Sequence, residues 1–425
     1  MSFLIKGGRV LDPANGIDDV RDILVEKGKI SAVSQKIKTD AEIIDAGGKL
    51  VLPGMIDMHV HLREPGREDE ETIETGTSAA AHGGFTGIAC MPNTTPPIDN
   101  AGIVEFILSQ VKEKGSVRVY PVGAITKSLA GEELSNIGEL FDAGAVAVSD
   151  DGEPVANGDL MRRALEYTKM FNLTVISHSE DKTLSSAGVM NEGRVATALG
   201  LPGIPQVAEE AAVARDIMLA ELTQAKLHIA HVSTAGSVEL VRRAKHKGIK
   251  VTAETAPHYF SLTEEDVRTF DTNTRVNPPL RTVHDTEAIK EGLKDGTIDV
   301  IATDHAPHTV VEKEMEFASA PPGIIGLETC FSLVLVELVN GGVLTIGEAI
   351  SKMTVNPASI LGLGKGTLTP GTDADITIID PDGEYTVEKF FSKSSNSPFI
   401  GRKLKGIVET VIVGGEIVVG NRIKD

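Results

Sequence analysis

The sequence has few of the features that tie a protein to a membrane or to nucleic acid. It has no tryptophan, four tyrosines and twelve phenylalanines, so aliphatic side chains must build its core. No apolar run approaches the roughly 18 residues of a membrane helix, and the N-terminal residues lack the pattern of a signal peptide. The net charge of −20, without a concentrated basic stretch, disfavours binding to nucleic acid and to anionic membranes.

Cysteine is also scarce, and Cys90 and Cys330 are the only two. Both lie among apolar or small residues, which favours buried, reduced thiols, although the sequence alone leaves a disulfide between them open. We therefore expect a cytoplasmic protein. If its substrate is an anion, the binding site must supply local positive charge, because the surface as a whole is acidic.

The chain divides into three stretches by its hydrophobic pattern. Residues 1–52 and 364–425 contain short β-type runs separated by glycine-rich turns. Residues 53–363 instead alternate short apolar segments with segments of helical period. Strands are predicted at 54–59, 85–91, 117–122, 145–149, 174–178, 226–231, 249–254 and 298–303, and helices at 70–81, 100–114, 135–142, 158–171, 206–223, 235–246, 284–294, 326–340 and 346–353.

Eight consecutive β-then-α units predict an α/β fold of the (β/α)8 TIM-barrel type. A doubly wound open sheet would give a similar alternation, but the count of eight favours the barrel. We expect the stretches 1–52 and 364–425 to pack together as one small composite β-sandwich domain. The acidic run Glu68–Glu71 is expected at the start of a helix, where negative charge is favourable. Segment 309–322 is expected to be a mobile loop over the site, with a merely solvated loop as the alternative.

Ionisable residues collect at the predicted carboxyl ends of the barrel strands. His59 and His61 are two residues apart, so their side chains point to one face. Alone, this pair fits two solvated histidines as well as it fits a metal site. Reactive residues of a parallel barrel belong at these strand ends, so the full set favours a metal site; its members are His59, His61, Asp151, His178, His231 and Asp304.

The chemistry of this set points to a pair of metal ions. Four imidazoles and two carboxylates without a thiolate suit zinc, with manganese, cobalt or iron as alternatives. Six ligands exceed the four of one tetrahedral zinc, whereas two ions about 3.5–4 Å apart, sharing a carboxylate and a hydroxide, would use them all. The spacing does not separate Asp151 from Asp150, since either could cap the following turn.

Several motifs together resemble the longer bacterial type of dihydroorotase in the amidohydrolase superfamily. They are Gly54–Arg63, Met91–Thr94, Ser149–Gly152, Asn277–Arg281, Thr303–His308, Pro322–Gly323 and Pro370–Asp375. The resemblance covers essentially the whole chain. It implies a zinc-dependent cyclic amidohydrolase that reversibly interconverts N-carbamoyl-L-aspartate and L-dihydroorotate in de novo pyrimidine (UMP) biosynthesis.

The resemblance also implies a role for each site residue. His59 and His61 would bind one Zn²⁺ and His178 and His231 the other, with Asp151 and a hydroxide as bridges. Asp304 would ligate the first zinc and act as the catalytic acid and base. The substrate would be bound by His61, Arg63, Asn93, Asn277, His308 and the backbone of Pro322 and Gly323.

Two alternatives stand beside this interpretation. Hydantoinases and allantoinases bridge their metals with a carboxylated lysine at the end of strand four, but Ala145–Ser149 contains no lysine, which disfavours that activity. Inactive scaffold relatives typically lose metal histidines, and this chain keeps the set. The resemblance further implies a homodimer, and for some longer-type enzymes an association with aspartate carbamoyltransferase.

Overall fold

Eight parallel strands follow one another in chain order around the centre of the computed structural model, which describes residues 2–420. A bridge between Val60 and His305 joins the first strand to the segment after the eighth and closes the ring. The predicted (β/α)8 barrel is therefore confirmed over the open sheet. The barrel strands are Met55–Val60, Phe85–Cys90, Arg118–Ala124, Ala147–Ser149, Thr174–Ser177, Leu227–Ile229, Val251–Thr255 and Val300–Ile301.

Helices cover the outside of these strands. The longer ones are Ile73–His82, Ala101–Lys114, Ile137–Ala143, Gly158–Thr168, Val207–Thr223, Ala235–His246 and Val283–Lys294. Shorter ones are Lys182–Ser185, Arg194–Leu199, Pro257–Ser261, Val310–Lys313, Cys330–Leu333, Ile346–Ser351 and Val355–Ile360. Single 3₁₀ turns lie at Pro13–Asn15, Lys127–Leu129, Lys169–Phe171, Glu264–Thr269 and Thr272–Thr274, and a two-strand pair is formed by Met190–Asn191 and Gly203–Ile204.

Local sequence explains where these helices begin. The helix Val283–Lys294 begins after Thr282, whose side chain accepts from the amide of Asp285, while Asp285 accepts from the amide of Thr282. Such a reciprocal cap stabilises a helix by about 1 kcal/mol. Ile289 and Leu293, four residues apart, bury one face of the helix in the core.

Both ends of the chain enter one eight-stranded sheet beside the barrel. Its strands are Ser2–Asp12, Ile17–Glu26, Lys29–Ser34, Glu42–Asp45, Leu50–Pro53, Ile376–Thr386, Lys403–Val413 and Glu416–Val419. Leu50–Pro53 pairs with Ile376–Ile379 in antiparallel register, so the two ends meet in the middle of the sheet. Buried side chains from both ends, including Phe3, Ile23 and Ile412, share one core. This confirms the composite β unit, while the boundaries at 52/53 and 363/364 stay predictions.

Two predicted helices begin later than expected. The helix predicted from residue 70 begins at Ile73, because the side chains of Glu70 and Glu71 are buried in contacts at the barrel mouth. The prediction that the acidic run Glu68–Glu71 begins a helix was therefore wrong, because the whole run precedes Thr72, the N-cap residue. The helix predicted at 326–340 begins only at Cys330 and continues as the π-helical segment Val334–Val339.

The remaining composition-based expectations concern thiols and membranes. Cys90 and Cys330 are both free and buried, and burial raises the pKa of the Cys90 thiol to about 12. A disulfide between them is thus excluded. Within residues 2–420, we find no helix that combines the length and the apolar character needed to cross a membrane.

Candidate active site

Each predicted metal ligand lies at the carboxyl end of a barrel strand, and several of these ends have an unusual backbone. Arg63, His231 and Asp304 have φ values of 61°, 35° and 49°, in the left-handed region that side chains with a Cβ rarely occupy. Such conformations cluster at functional sites, where the surrounding structure holds them. Here they turn the chain sharply at the strand ends.

The first cluster consists of His59, His61 and Asp151, whose ligand atoms lie within 4.8 Å of one another. His59 Nε2 is 3.3 Å from Asp151 Oδ1, and His61 Nε2 is 3.5 Å from Asp151 Oδ2. All three side chains are buried. Two imidazole nitrogens and a carboxylate oxygen are thereby directed at one small space.

The second cluster shares Asp151 with the first and adds His178 and His231. His178 Nδ1 is 3.4 Å and His231 Nε2 is 3.5 Å from Asp151 Oδ1, and these two nitrogens are 2.8 Å apart. Asp151 therefore lies between two pairs of histidines. A carboxylate shared by two ligand pairs is the arrangement expected of a two-metal centre.

Acceptors behind three of the histidines determine which ring nitrogen carries the proton. His59 Nδ1 is 2.6 Å from Glu254 Oε1, His61 Nδ1 is 2.8 Å from Asn93 Oδ1, and His178 Nε2 is 3.2 Å from Glu180 Oε2. Each contact assigns the hydrogen to the outer nitrogen and leaves the inner lone pair facing Asp151. Metal-binding histidines are oriented in this way by outer acceptors.

The residues fit a bound cation, because the centre is otherwise unsatisfied. His59 Nε2 and Asp151 Oδ1 are buried and lack a hydrogen-bond partner, and such orphaned atoms are costly without a ligand. Burial lowers the pKa of His59, but Asp151 and Glu254 together raise it well above its ordinary value. A cation at this position would take the place of the proton that these carboxylates otherwise attract.

Asp304 lies beside the first cluster. Its Oδ1 is 3.2 Å from His61 Nε2 and 3.5 Å from His59 Nε2. Burial raises the pKa of Asp304, but its contact with His61 and the charges of the nearby histidines lower it below its ordinary value. The side chain is therefore an ionised carboxylate that both faces the ligand cluster and lines the cavity.

The structure separates the two adjacent aspartates. Asp150 points away from the clusters and accepts hydrogen bonds from the amides of Ile125 and Thr126 and from the Thr126 hydroxyl. Burial raises its pKa to about 7. Asp150 thus holds the loop after the third barrel strand, and Asp151 faces the histidines.

A cavity of about 210 Å³ opens beside the clusters. It brings together every residue predicted to bind substrate, with five of the six metal-ligand candidates. The sixth candidate, His59, is buried behind the cavity wall. The lining residues are His61, Arg63, Asn93, Asp151, Gly152, His178, His231, Val276, Asn277, Asp304, Ala306, His308, Pro322 and Gly323.

Positive charge in the cavity comes from Arg63 and is oriented by Glu70. Arg63 Nε is 3.0 Å from Glu70 Oε2 and donates to the carbonyl of Pro307. The other Glu70 oxygen is 2.8 Å from His308 Nδ1, and His308 Nε2 donates to the carbonyl of Pro322. With its Nε occupied, Arg63 keeps its two terminal nitrogens for an anion, the geometry that suits a carboxylate.

Sequence reasoning missed the residues that orient the predicted ones. Glu254 lies between His59 and His228, Glu180 holds both His178 and Asn277, and Glu70 holds Arg63. A signal existed for Glu254, because it is the last residue of the predicted strand 249–254, at the end where reactive residues of a parallel barrel belong. Glu70 and Glu180 carried no comparable signal.

The remaining histidines lie outside the two clusters. His228 is buried against Glu254, and His305 contacts Glu71. Burial lowers the pKa of His258 to about 4, so this ring is neutral beside Tyr259. His82 stacks on Phe391.

A (β/α)8 barrel with histidine and aspartate ligands at its strand ends is the architecture of the amidohydrolases. Residues 211–419 match the amidohydrolase family model, and residues 48–237 match the dihydro-orotase-like model. The dihydroorotase of Pelotomaculum thermopropionicum is 58% identical over 100% of both chains, and that of Geobacter metallireducens is 58% identical over 98% of this chain and 99% of the relative. The chain belongs to the dihydroorotase family.

Solved structures of related amidohydrolases share the fold. The L-hydantoinase (dihydropyrimidinase) of Arthrobacter aurescens has a TM-score of 0.88 at 28% identity, covering 100% of this chain and 97% of its own. The dihydropyrimidinase of Brevibacillus agri has a TM-score of 0.84 at 25% identity, covering 99% and 95%. Similar folds therefore carry different ring-opening activities, and side chains at the site must separate them.

Proposed function

We propose that this chain catalyses the reversible hydrolysis of L-dihydroorotate to N-carbamoyl-L-aspartate at a centre of two zinc ions. The observation that carries this proposal is the position of Asp151 between two histidine pairs, beside a cavity that presents Arg63. The first feature suits a metal pair and the second a substrate carboxylate. Both are needed for a cyclic amide that bears a carboxylate.

His59 and His61 would hold one zinc and His178 and His231 the other, with Asp151 between them. When bound, the zinc pair supplies Lewis acidity and lowers the pKa of water, so that hydroxide is available near neutral pH. We assign these residues from the direction of their inner nitrogens. The absence of a thiolate among the ligand candidates favours zinc over softer metals.

Asp304 serves as the general base and acid. In ring opening, water adds to the ring carbonyl carbon, and Asp304 accepts the proton that the water loses. Asp304 then gives this proton to the ring nitrogen as the carbon–nitrogen bond breaks, and the second proton of the water leaves from the new carboxyl group, which ionises near neutral pH. Ring closure runs through the same steps in reverse. Positioned proton transfer of this kind contributes typically 10²–10⁴-fold to a rate.

The opposite wall of the cavity would hold the substrate. Arg63 binds the ring carboxylate with its terminal nitrogens, and Asn93, Asn277 and His308 supply further polar contacts. The backbone of Pro322 and Gly323 lies against the same space. An acidic protein repels an anionic substrate. Arg63 offsets this repulsion locally, because it places a largely buried cation at the site.

Hydantoin or dihydropyrimidine hydrolysis is the second candidate, since the similar solved structures carry those names. Two features of this chain disfavour it. The fourth barrel strand, Ala147–Ser149, contains no lysine, and Asp151 is the carboxylate that both histidine pairs share. Against a ring that lacks a carboxylate, the two terminal nitrogens of Arg63 would have no anionic partner.

The test is the zinc content of the purified protein together with hydrolysis of L-dihydroorotate and of dihydrouracil, which lacks the carboxylate. We expect about two zincs per chain, activity on dihydroorotate, and loss of that activity in Asp304→Ala with the protein still folded. Activity on dihydrouracil alone would favour the second candidate. Zinc-free protein that is inactive even after metal is supplied would contradict both.

The family assignment also supports proposals about assembly and location. We propose a cytoplasmic homodimer that acts with or beside aspartate carbamoyltransferase. Light scattering of the purified chain measures the oligomeric state, and mixing the two proteins measures association. A monomer whose activity does not respond to the transferase would contradict both assembly proposals.

A further inference from the structure

A segment from the C-terminal part of the chain reaches the substrate wall of the cavity. Residues 387–402 connect the sheet strands Ile376–Thr386 and Lys403–Val413. Within this connection, Asn396 is 3% exposed and contacts the loops that follow the eighth barrel strand. The sequence predicts that this stretch belongs to the terminal β unit, and no residue in it was predicted to contribute to the site.

Asn396 joins the two loops that form the substrate wall. Its Oδ1 accepts from the amide of His308 at 3.1 Å, and its Nδ2 donates to the carbonyls of Ala306 at 2.9 Å and Gly323 at 3.0 Å. Its own carbonyl accepts from the amide of Ile325. One side chain thus fixes the spacing between the loop of His308 and the Pro322–Gly323 peptide.

The segment around Asn396 is itself anchored to the barrel mouth. The amide of Lys393 donates to Glu71, and the Ser394 hydroxyl donates to the carbonyl of Glu70. Further back, the amides of Phe391 and Ser392 donate to the half-buried carboxylate of Glu328. These contacts hold the segment around Asn396 in place, and the side chain of Asn396 in turn holds the two cavity loops.

We propose that Asn396 is a positioning residue that sets the distance between His308 and the Pro322–Gly323 peptide, and through them the binding of the substrate ring and its carboxylate. The proposal rests on the proposed function for the identity of the substrate. Asn396 does not touch the substrate itself. It makes the terminal β unit part of the active site of the barrel.

The chemistry requires an asparagine at this position. Its amide offers one acceptor to the single amide hydrogen of His308 and donors to two carbonyls. Aspartate has the same shape but would place a carboxylate oxygen against those two carbonyls. Alanine would leave the His308 amide and the Ala306 carbonyl without a partner, and the Gly323 carbonyl with Lys313 as its donor. Both substitutions should loosen the wall without touching a metal ligand candidate.

The test compares Asn396→Ala and Asn396→Asp with the control Asn356→Ala in the full-length, zinc-loaded protein. Asn356 also donates from its side chain to a carbonyl, that of Asp299, but at the amino end of the eighth strand, away from the cavity. Hydrogen exchange at the His308 amide reports the contact directly. KM and kcat for dihydroorotate report its effect on binding.

We expect the His308 amide to exchange at least tenfold faster in both Asn396 variants and at the wild-type rate in Asn356→Ala. KM should rise about tenfold or more with a smaller change in kcat and unchanged zinc content, as when uniform binding is lost. Unchanged exchange at His308, or an equal rise of KM in Asn356→Ala, would overturn the proposal. A wild type inactive on dihydroorotate would contradict the proposed function, and hydrogen exchange would still decide whether Asn396 holds the wall.

Discussion

The metal side and the substrate side of the cavity are built by different means. On the metal side, the ligand candidates stand on strand ends, and outer acceptors such as Glu254 orient their rings. On the substrate side, loops supply the contacts, and Asn396 and Lys313 hold those loops through backbone carbonyls. The strand ends gain rigidity from the sheet, whereas the substrate wall depends on a few buried side-chain contacts.

The largest expected effect separates the adjacent aspartates on the metal side. Asp151→Asn removes the shared charged ligand, so we expect activity to fall by about 10³-fold or more and the zinc content to drop below that of wild type. Asp150→Asn changes a residue that only holds a loop, and zinc content should remain. Metal analysis measures the zinc content, and steady-state kinetics measure kcat for dihydroorotate. Equal loss of zinc in the two variants would contradict the different roles of Asp151 and Asp150.

On the substrate side, Arg63→Gln should lower kcat/KM for dihydroorotate by about 10²-fold, because a desolvated partner of a carboxylate is lost. Arg67 is the control, since its side chain is 42% exposed and pairs with Glu312 at the rim. Arg67→Gln should cost less than about fivefold. Steady-state kinetics decide, and a similar loss in both variants would argue that long-range charge rather than contact binds the substrate.

The orientation of the metal side can be tested through Glu254, which contacts His59 and His228. Burial raises its pKa, but these two histidines lower it below the ordinary range, so the carboxylate is charged. Glu254→Gln should weaken zinc binding about 10- to 100-fold, the usual effect of losing an outer acceptor. Competition with a chelator measures this. Glu328→Gln, at a half-buried carboxylate outside both clusters, should leave the zinc affinity unchanged.

The smallest effect concerns Lys313 on the substrate side, which donates to the carbonyls of Pro321 and Gly323. Burial lowers its pKa to about 7. The unfolded chain keeps the proton up to about pH 10.4, so between pH 7 and that value the unfolded state binds more protons and this lysine's contribution to stability rises with pH.

Lys313→Met removes this titration. The difference in Tm between wild type and the variant should therefore shift by a few degrees in favour of wild type from pH 7 to pH 9. Melting curves of both proteins at the two pH values make the comparison. A difference that stays constant would show that Lys313 titrates normally in the folded protein.

The same contrast explains what the sequence could predict. Sequence patterns predict where four of the ligand candidates lie. The alternation of side chains along a strand places His59 and His61 on one face, and the count of eight strands places His178 and His231 at the same end of the barrel. The spacing alone could not separate Asp150 from Asp151, because Asp150 binds backbone groups of a loop some 24 residues away; the family resemblance implied Asp151.

The side chains that hold the substrate wall in place could not be predicted from the sequence. Asn396 is 88 residues from His308 along the chain, and no local pattern carries a contact of that range. Glu70 lies in an acidic run that favours a helix start, yet its long-range contacts with Arg63 and His308 override that preference. Loops held by single side chains are therefore the part that sequence patterns predict least.

The decisive experiment restores metal to chelator-treated protein and follows bound zinc and dihydroorotate hydrolysis together. It tests whether the hydrolysis requires the zinc pair. The account predicts that activity returns as zinc binds and reaches its maximum at about two per chain. Full hydrolysis by the metal-free protein, or two bound zincs without hydrolysis of dihydroorotate by the wild type, would contradict it.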